Sequence, residues 1–182
     1  MKHALVVGGI GMLSNVSLWL ADNGYRVSVI ARNPIKMAQL IEKASTKKQI
    51  TPLLVDYKNG FELRDQLKQS IQVNGGIDIV IAWIHSDAED ALEIIGNDVS
   101  TSIETWDLYH ICGSSSDLEE IKRNDIAPDG CQYHQVQLGF VVEDNHSRWL
   151  TNQEISTGVI EAIKKNTYIS CVGVVTPWEK RP

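Results

Sequence analysis

The chain has 182 residues, the size of one ordinary domain, and a formal net charge of −6. That charge argues against a general nucleic-acid-binding protein, because affinity for the phosphate backbone depends on clustered lysine and arginine. The 3 cysteines lack Cys-x-x-Cys spacing, so neither a disulfide framework nor a metal site such as zinc is indicated.

No segment indicates a membrane protein or a second domain. The apolar run before the first glycines is too short for a secretion signal, and no later run approaches the roughly 18 apolar residues of a membrane span. No linker, internal repeat or low-complexity run divides the sequence. We therefore expect residues 1–182 to form one domain of a cytoplasmic protein.

Apolar runs rich in β-branched residues alternate along the chain with segments of helical period. Asn33 and Pro34 have the pattern of a helix N-cap and first turn, and Thr151 to Glu154 has capping-box spacing. The predicted strands are 5–7, 25–31, 50–56, 77–84, 106–112, 133–143 and 168–175. The predicted helices are 12–22, 34–44, 61–71, 88–95 and 152–163, with a polar stretch at 114–130.

This alternation predicts an α/β fold with a doubly wound, mostly parallel seven-stranded sheet and helices on both faces. Strands that are buried on both sides and separated by helices are typical of parallel sheets. In such a sheet a nucleotide binds in the crevice above the first strand.

The stretch VVGGIGMLSN (6–15) lies between the first strand and the first helix. Gly8 is placed for a backbone conformation that other residues avoid, and Gly11 lets the main chain approach a pyrophosphate without a Cβ in the way. Ser14 is the small residue where a third glycine often allows close packing. A tight turn without a ligand is the alternative, but the strand–turn–helix context favours dinucleotide binding.

The end of the second strand indicates which dinucleotide binds. NAD-binding proteins usually place Asp or Glu there, whereas this chain has Arg32 and, one helical turn on, Lys36. A guanidinium matches phosphate geometry with paired donors, so we expect NADP(H) to be the cofactor. The alternative is that both cations are merely solvated.

Asp56, which closes the third strand, is placed to accept a hydrogen bond from an adenine amino group, or else simply forms a turn. The residues predicted to bind the cofactor are Gly8, Gly9, Gly11, Met12, Leu13, Arg32, Asn33, Lys36, Asp56, Tyr57, Ala82 and Trp83.

These motifs resemble those of the short-chain dehydrogenase/reductase superfamily over most of the chain. VGGIGMLS is similar to its glycine motif, ARN to the NADP-selecting end of the second strand, and VDY to the adenine-side aspartate. IDIVIAWIH and YHICGSSS match by position the fourth strand and the fifth, whose end normally carries a catalytic serine. The resemblance implies an oxidoreductase.

One motif of that superfamily is missing from the sequence. The usual active site has a tyrosine with a lysine four residues later, which lowers the tyrosine pKa for proton transfer. None of the 5 tyrosines of this chain is followed by lysine at that spacing. The residues found there are Val29, Phe61, Gly113, Gln137 and Val172.

Two other residues are candidates for catalysis, each with a plain alternative. Ser114 follows the fifth strand and has a hydroxyl for a substrate, although the serines there also suit a loop start before a short helix. His85 follows the fourth strand and titrates near neutrality, or it only lines the crevice. Arg148 and Trp149 are candidate substrate contacts in a covering loop, or a subunit contact.

The leading hypothesis is a short, atypical NADP(H)-dependent oxidoreductase for a small carbonyl, imine or activated alkene. The alternative is a non-catalytic NADP(H)-binding sensor or partner protein, which the missing Tyr-Lys pair favours. We expect a small-molecule substrate, no nucleic-acid or membrane partner, and a homodimer or homotetramer as the resemblance implies.

Overall fold

The computed structural model describes residues 1–123, 127–144 and 146–182, apart from the side chains of Glu89, Lys122 and Arg123. The strands are β1 His3–Val7, β2 Arg26–Ala31, β3 Ile50–Leu54, β4 Ile79–Ala82, β5 Trp106–Cys112, β6 Cys131–Leu138, β7 Phe140–Glu143, β8 His146–Trp149 and β9 Ile169–Val172. The α-helices are α1 Ser14–Asp22, α2 Pro34–Lys43, α3 Gly60–Asn74, α4 Glu89–Ser100, α5 Leu118–Arg123 and α6 Asn152–Lys165.

Seven strands form one parallel sheet in the order β3-β2-β1-β4-β5-β6-β9. The side chains of β1 alternate between two cores, with Ala4 and Val6 on one face of the sheet and Leu5 and Val7 on the other. Helices α1, α2 and α6 cover the first face, and α3 and α4 cover the second. The prediction of a doubly wound parallel sheet is confirmed.

Local sequence signals set several helix boundaries. The Asn33 side chain accepts a hydrogen bond from the Lys36 backbone N–H at 2.9 Å, so it caps α2 as predicted. Thr151 and Glu154 form the predicted capping box at the start of α6. Gly24, with φ +84°, follows the end of α1.

The prediction of one long strand over 133–143 is wrong, because the chain turns at Gly139. A Cβ on Gly139 would lie 2.1 Å from the carbonyl oxygen of Val174, so the two backbones touch at a distance that only glycine permits. Beyond it, Phe140 bridges Val174 in the antiparallel sense and β7 forms a hairpin with β8. The predicted covering loop is therefore partly a strand.

The start of helix α1 differs from the expected bound, and the polar stretch contains the short helix that was one interpretation of its serines. Helix α1 begins at Ser14 instead of residue 12, because Leu13 has non-helical dihedral angles and the Ser14 N–H bonds back to Gly11 O in a tight turn. The polar stretch contains a single helix in its described part, α5, whose first turn is capped by Asp117. No helix in the described ranges combines the length and apolar character that crossing a membrane requires.

Candidate functional site

Residues 8–13, here called the glycine turn, connect β1 to α1 at the carboxyl edge of the sheet. Gly8 has φ +83°, a conformation that L side chains rarely adopt. A Cβ on Gly11 would meet nothing within 4 Å, so the main chain there faces open space. The turn therefore starts with a backbone conformation that favours glycine and continues with the bare backbone that close approach of a ligand requires.

Gly9 has a different role from Gly8 and Gly11. A Cβ at this position would lie 2.6 Å from Oγ of Ser17 and 2.8 Å from Cγ1 of Val29. Gly9 therefore allows α1 to pack closely on the sheet, the role that the sequence assigned to Ser14. The Ser17 hydroxyl also donates to the Gly9 carbonyl at 3.2 Å.

The amino end of α1 has no side-chain cap and no acidic residue in its first turn. In contrast, Asn33, Asn59 and Thr151 cap α2, α3 and α6. A helix amino end carries free N–H groups and a partial positive charge. The glycine turn and α1 thus present the donors and the potential that suit a phosphate.

The Leu13 side chain is fully buried, and the Met12 carbonyl oxygen accepts a hydrogen bond from the Ser156 hydroxyl at 2.6 Å. Met12 and Leu13 therefore anchor the turn.

Arg32 lies directly after β2, next to Asp56 after β3. Its guanidinium is 3.4 Å from an Asp56 carboxylate oxygen, and the side chains are 70% and 40% exposed. The other Asp56 oxygen accepts from the Lys58 backbone N–H at 3.0 Å, which is the turn-forming role considered from sequence. Lys36 is exposed on the first turn of α2. Arg32, Asn33, Lys36 and Asp56 therefore lie around one exposed rim.

A pocket of about 420 Å³, the small pocket, lies between the loops that follow β3 and β4. Tyr57 and Lys58 line it from one loop, and Ser86 and Asp87 from the other. An ion pair between Lys58 and Asp87 joins the two loops. Their hydrogen bond raises the pKa of Lys58 and lowers that of Asp87. Its volume lies in the range of pockets that bind small molecules.

A larger pocket of about 880 Å³, the large pocket, lies at the carboxyl ends of β4 and β5. Trp83 lines it and connects it with the glycine turn: its side chain lies 3.7 Å from where a Gly8 Cβ would be and 3.9 Å from that of Gly113. The fully buried Ala82 ends β4 just before it. The turn and the large pocket thus share a wall.

The two candidate catalytic residues are placed differently. His85 is exposed and lines the large pocket, with its ring 5.9 Å from that of Trp83 in an edge-on arrangement. Ser114 is not among the residues that line this pocket, whereas Ser115 and Ser116 are. The structure therefore brings His85 to the large pocket and leaves Ser114 beside it.

The candidate substrate contacts belong to the β7–β8 hairpin. Arg148 donates to Glu143 at 2.9 Å and to both carboxylate oxygens of Glu154 at 2.9 and 3.0 Å. Two carboxylates already neutralise this guanidinium, so it holds the hairpin to α6 and does not present a free cation to an anionic substrate. Trp149 is exposed and stacks under Arg181.

His110 and Tyr133 are not among the residues that the sequence pattern predicted for the site. The Nδ1 atom of His110, on β5, is 2.8 Å from the Tyr133 hydroxyl on β6, and His110 lines the large pocket. Burial lowers the pKa of His110 to about 4 and raises that of Tyr133. Strand alternation predicts which face of the sheet each of these side chains occupies. Only the register between β5 and β6 brings the two side chains together, and no signal in the sequence predicts that register.

No protein-family model and no curated protein matches the sequence. Solved structures match the fold. A short-chain type dehydrogenase/reductase from Mycobacterium marinum superposes with a TM-score of 0.73 at 16% identity, covering 94% of this chain and 93% of that one. A short chain dehydrogenase from Burkholderia cenocepacia in complex with NADP gives 0.72 at 13% identity, covering 94% and 96%.

A betaketoacyl-[ACP] reductase from Bacteroides thetaiotaomicron gives a TM-score of 0.68 at 16% identity, with 95% of each chain covered. Identities this low compare folds and not individual site residues. The resemblance predicted from the motifs is thus confirmed as a likeness of fold: this chain is built like the short-chain dehydrogenase/reductase structures.

Proposed function

We propose that this protein is an NADP(H)-dependent oxidoreductase that acts on a small carbonyl compound, imine or activated alkene. The observation that carries the proposal is the bare glycine turn, which shares Trp83 as a wall with the large pocket. A dinucleotide held at the turn would extend along the carboxyl edge toward this pocket. The fold likeness to oxidoreductase structures, one of them with NADP, supports it.

The residues present fit such a cofactor. The open space at Gly11 and the uncapped end of α1 suit the pyrophosphate. The small pocket, lined by Tyr57, suits the adenine. Arg32 and Lys36 suit a 2′-phosphate, because the exposed guanidinium has donors left over beside its long contact with Asp56. NADPH, when bound, supplies hydride. This chain's own residues hold the substrate in the large pocket and limit its contact with water.

A second candidate is a non-catalytic NADP(H)-binding sensor. The observation that favours it is the sequence itself, in which no tyrosine precedes a lysine by four residues. Turnover separates the two functions: loss of NADPH absorbance with a panel of ketones and imines supports the oxidoreductase. Tight NADPH binding without turnover of any member supports the sensor.

The Gly11→Leu variant tests nucleotide binding at the glycine turn. Because a Cβ there meets nothing and Gly11 does not have a positive φ, we expect the variant to fold with an unchanged melting temperature. The side chain would fill the space meant for the pyrophosphate, so the Kd for NADPH should rise at least about tenfold, or about 1.4 kcal/mol. Isothermal titration calorimetry measures it.

The control is Glu161→Gln, which changes a residue of α6 that lines neither pocket and should bind NADPH as the unmutated protein does. Equal NADPH affinity for Gly11→Leu and the unmutated protein would contradict pyrophosphate binding at the turn. No heat with either NADPH or NADH for the unmutated protein would remove the proposed function altogether.

A further inference from the structure

A chain of three polar side chains lies under the large pocket, on β5 and β6. The Gln135 amide nitrogen donates to the Leu118 carbonyl at 2.9 Å and contacts the Tyr133 hydroxyl at 3.4 Å. The bond to a carbonyl fixes which end of the amide is NH₂, so its second hydrogen is directed at the Tyr133 oxygen. Tyr133 therefore accepts from Gln135.

The Tyr133 hydrogen then has one acceptor among the described residues, Nδ1 of His110 at 2.8 Å. If Tyr133 donates to Nδ1, the neutral imidazole carries its own hydrogen on Nε2. Burial keeps this ring neutral at ordinary pH, since it lowers the pKa of His110 to about 4. The hydrogen-bond chain thus selects one tautomer.

The Nε2 atom of His110 has no hydrogen-bond partner within the described part of the chain. It is not among the fully buried polar atoms that lack a partner there, so Nε2 is accessible. His110 lines the large pocket, so Nε2 is reachable from it. Apolar side chains such as Trp83, Ile84 and Leu92 line part of the same space, and polar ones such as Glu93 and Asn97 line the rest. A pocket of about 880 Å³ with apolar and polar walls and a fixed donor suits a small organic ligand that carries a polar group on an apolar body.

We propose that His110, oriented by Tyr133 and Gln135, is the residue that binds the carbonyl oxygen of an uncharged ketone in the large pocket. Its Nε2–H donates to the ligand oxygen and polarises the carbonyl, while Tyr133 and Gln135 act as positioning residues. This inference deepens the proposed function and rests on it for the choice of a ketone as ligand class. The binding site itself needs no nucleotide.

The first test reads the tautomer directly. Proton–nitrogen correlation NMR of ¹⁵N-labelled protein at pH 7, with the His110→Phe spectrum for assignment, should show the His110 hydrogen on Nε2. In Tyr133→Phe, which keeps the ring and loses the hydroxyl, the two tautomers should mix. A hydrogen on Nδ1 in the unmutated protein would overturn the proposal, since Nε2 would then be an acceptor.

The second test uses two probes of nearly the same shape, 1-tetralone and tetralin, titrated by calorimetry without nucleotide. The unmutated protein should bind the ketone at least about fivefold more tightly than the hydrocarbon. His110→Phe should reduce that preference to within about twofold, and Tyr133→Phe should reduce it partly. Glu161→Gln, a change on α6 at a residue that lines neither pocket, should retain it.

Equal binding of the two probes by the unmutated protein, or an unchanged preference in His110→Phe, would overturn the proposal. A separate NADPH titration distinguishes it from the proposed function. Ketone preference without NADPH binding leaves His110 in its role and removes the oxidoreductase. NADPH binding without ketone preference removes the proposed role of His110 and leaves the proposed oxidoreductase in place.

Discussion

Gly8, Gly9 and Gly11 lie within four consecutive positions, yet each meets a different physical constraint. Gly8 needs a positive φ, Gly9 has two side chains where its Cβ would be, and Gly11 borders open space. The spacing predicted the positive φ of Gly8 and the bare main chain at Gly11, because strand–turn–helix motifs have a known geometry. It missed the packing role of Gly9, since that role depends on how closely α1 brings Ser17, and the sheet brings Val29, to the turn.

Arg32 carries the predicted preference for NADPH over NADH. In Arg32→Ala we expect the Kd for NADPH to rise by about tenfold or more, while that for NADH stays within about twofold, because only NADPH has the 2′-phosphate. Stability should hardly change, since an ion pair as exposed as Arg32–Asp56 contributes at most about 1 kcal/mol. Calorimetric titrations with both nucleotides measure the effect.

Arg26→Ala is the matched control, because Arg26 is an exposed arginine at the opposite end of the same strand. It should leave both affinities unchanged. The same loss of NADPH and NADH affinity in Arg32→Ala would contradict a role in recognising the 2′-phosphate. Equal affinities of the unmutated protein for the two nucleotides would do so as well.

At the scale of elements, the β7–β8 hairpin shows where the sequence pattern fails. VQLGFVVE has the continuous apolar character of one strand, and a single glycine gives no indication of whether a strand bends or ends. The outcome depends on Val174, whose backbone pairs with Phe140 from more than thirty residues away. In contrast, the capping box of α6 was predictable, because its residues are local.

Glu154 makes the junction between the hairpin and α6 dependent on pH. Hydrogen bonds from Arg148 and then from the Thr151 backbone lower the pKa of Glu154 to about 2, from an ordinary 4.5. A lowered carboxyl pKa stabilises the fold above the ordinary value, and this contribution is lost as the pH falls toward 2. Glu154→Gln should therefore melt a few degrees lower at pH 6, with a smaller difference at pH 3.

Thermal melts at several pH values measure this effect, and Glu161→Gln is the control. Glu161 lies on the same helix and pairs only with the neighbouring Lys164 and Lys165 in the described chain. Its substitution should change the melting temperature little at either pH. A Glu154→Gln difference that stays constant from pH 6 to pH 3 would show that the carboxylate does not stabilise the junction through its charge.

At the scale of the whole molecule, the parallel sheet determines which side chains meet. The fold class was predictable because hydrophobic periodicity is a property of each segment taken alone. The large pocket was not, since it depends on β4, β5 and α4 converging. Likewise, the β5–β6 register alone places His110 opposite Gln135, two residues along β6 from Tyr133.

Acid stability is a second property of the whole fold. Burial lowers the pKa of both His3 and His110, so the unfolded chain, with an ordinary histidine pKa of 6.5, binds more protons than the folded one below that pH. The free energy of unfolding should therefore decrease as the pH falls from 6.5 toward 4. His110→Phe should lower this slope by up to about 1.4 kcal/mol per pH unit.

Urea denaturation at pH 7, 6 and 5 gives the slope for each protein. His146→Gln is the control, because that histidine side chain is 68% exposed whereas His3 and His110 are largely enclosed. If His110→Phe kept the full slope of the unmutated protein, the burial of a neutral His110 would not be a source of acid sensitivity.

The central position of β1 has a consequence for synthesis on the ribosome. β1 is the first strand to be made, but one of its two neighbours, β4, follows roughly 70 residues later. At 5–20 residues per second, that delay is about 4 to 14 s. During this interval a nascent sheet of β3, β2 and β1 exposes one hydrogen-bonding edge of its most apolar strand. Chaperones that shield such edges should therefore increase the yield of folded protein.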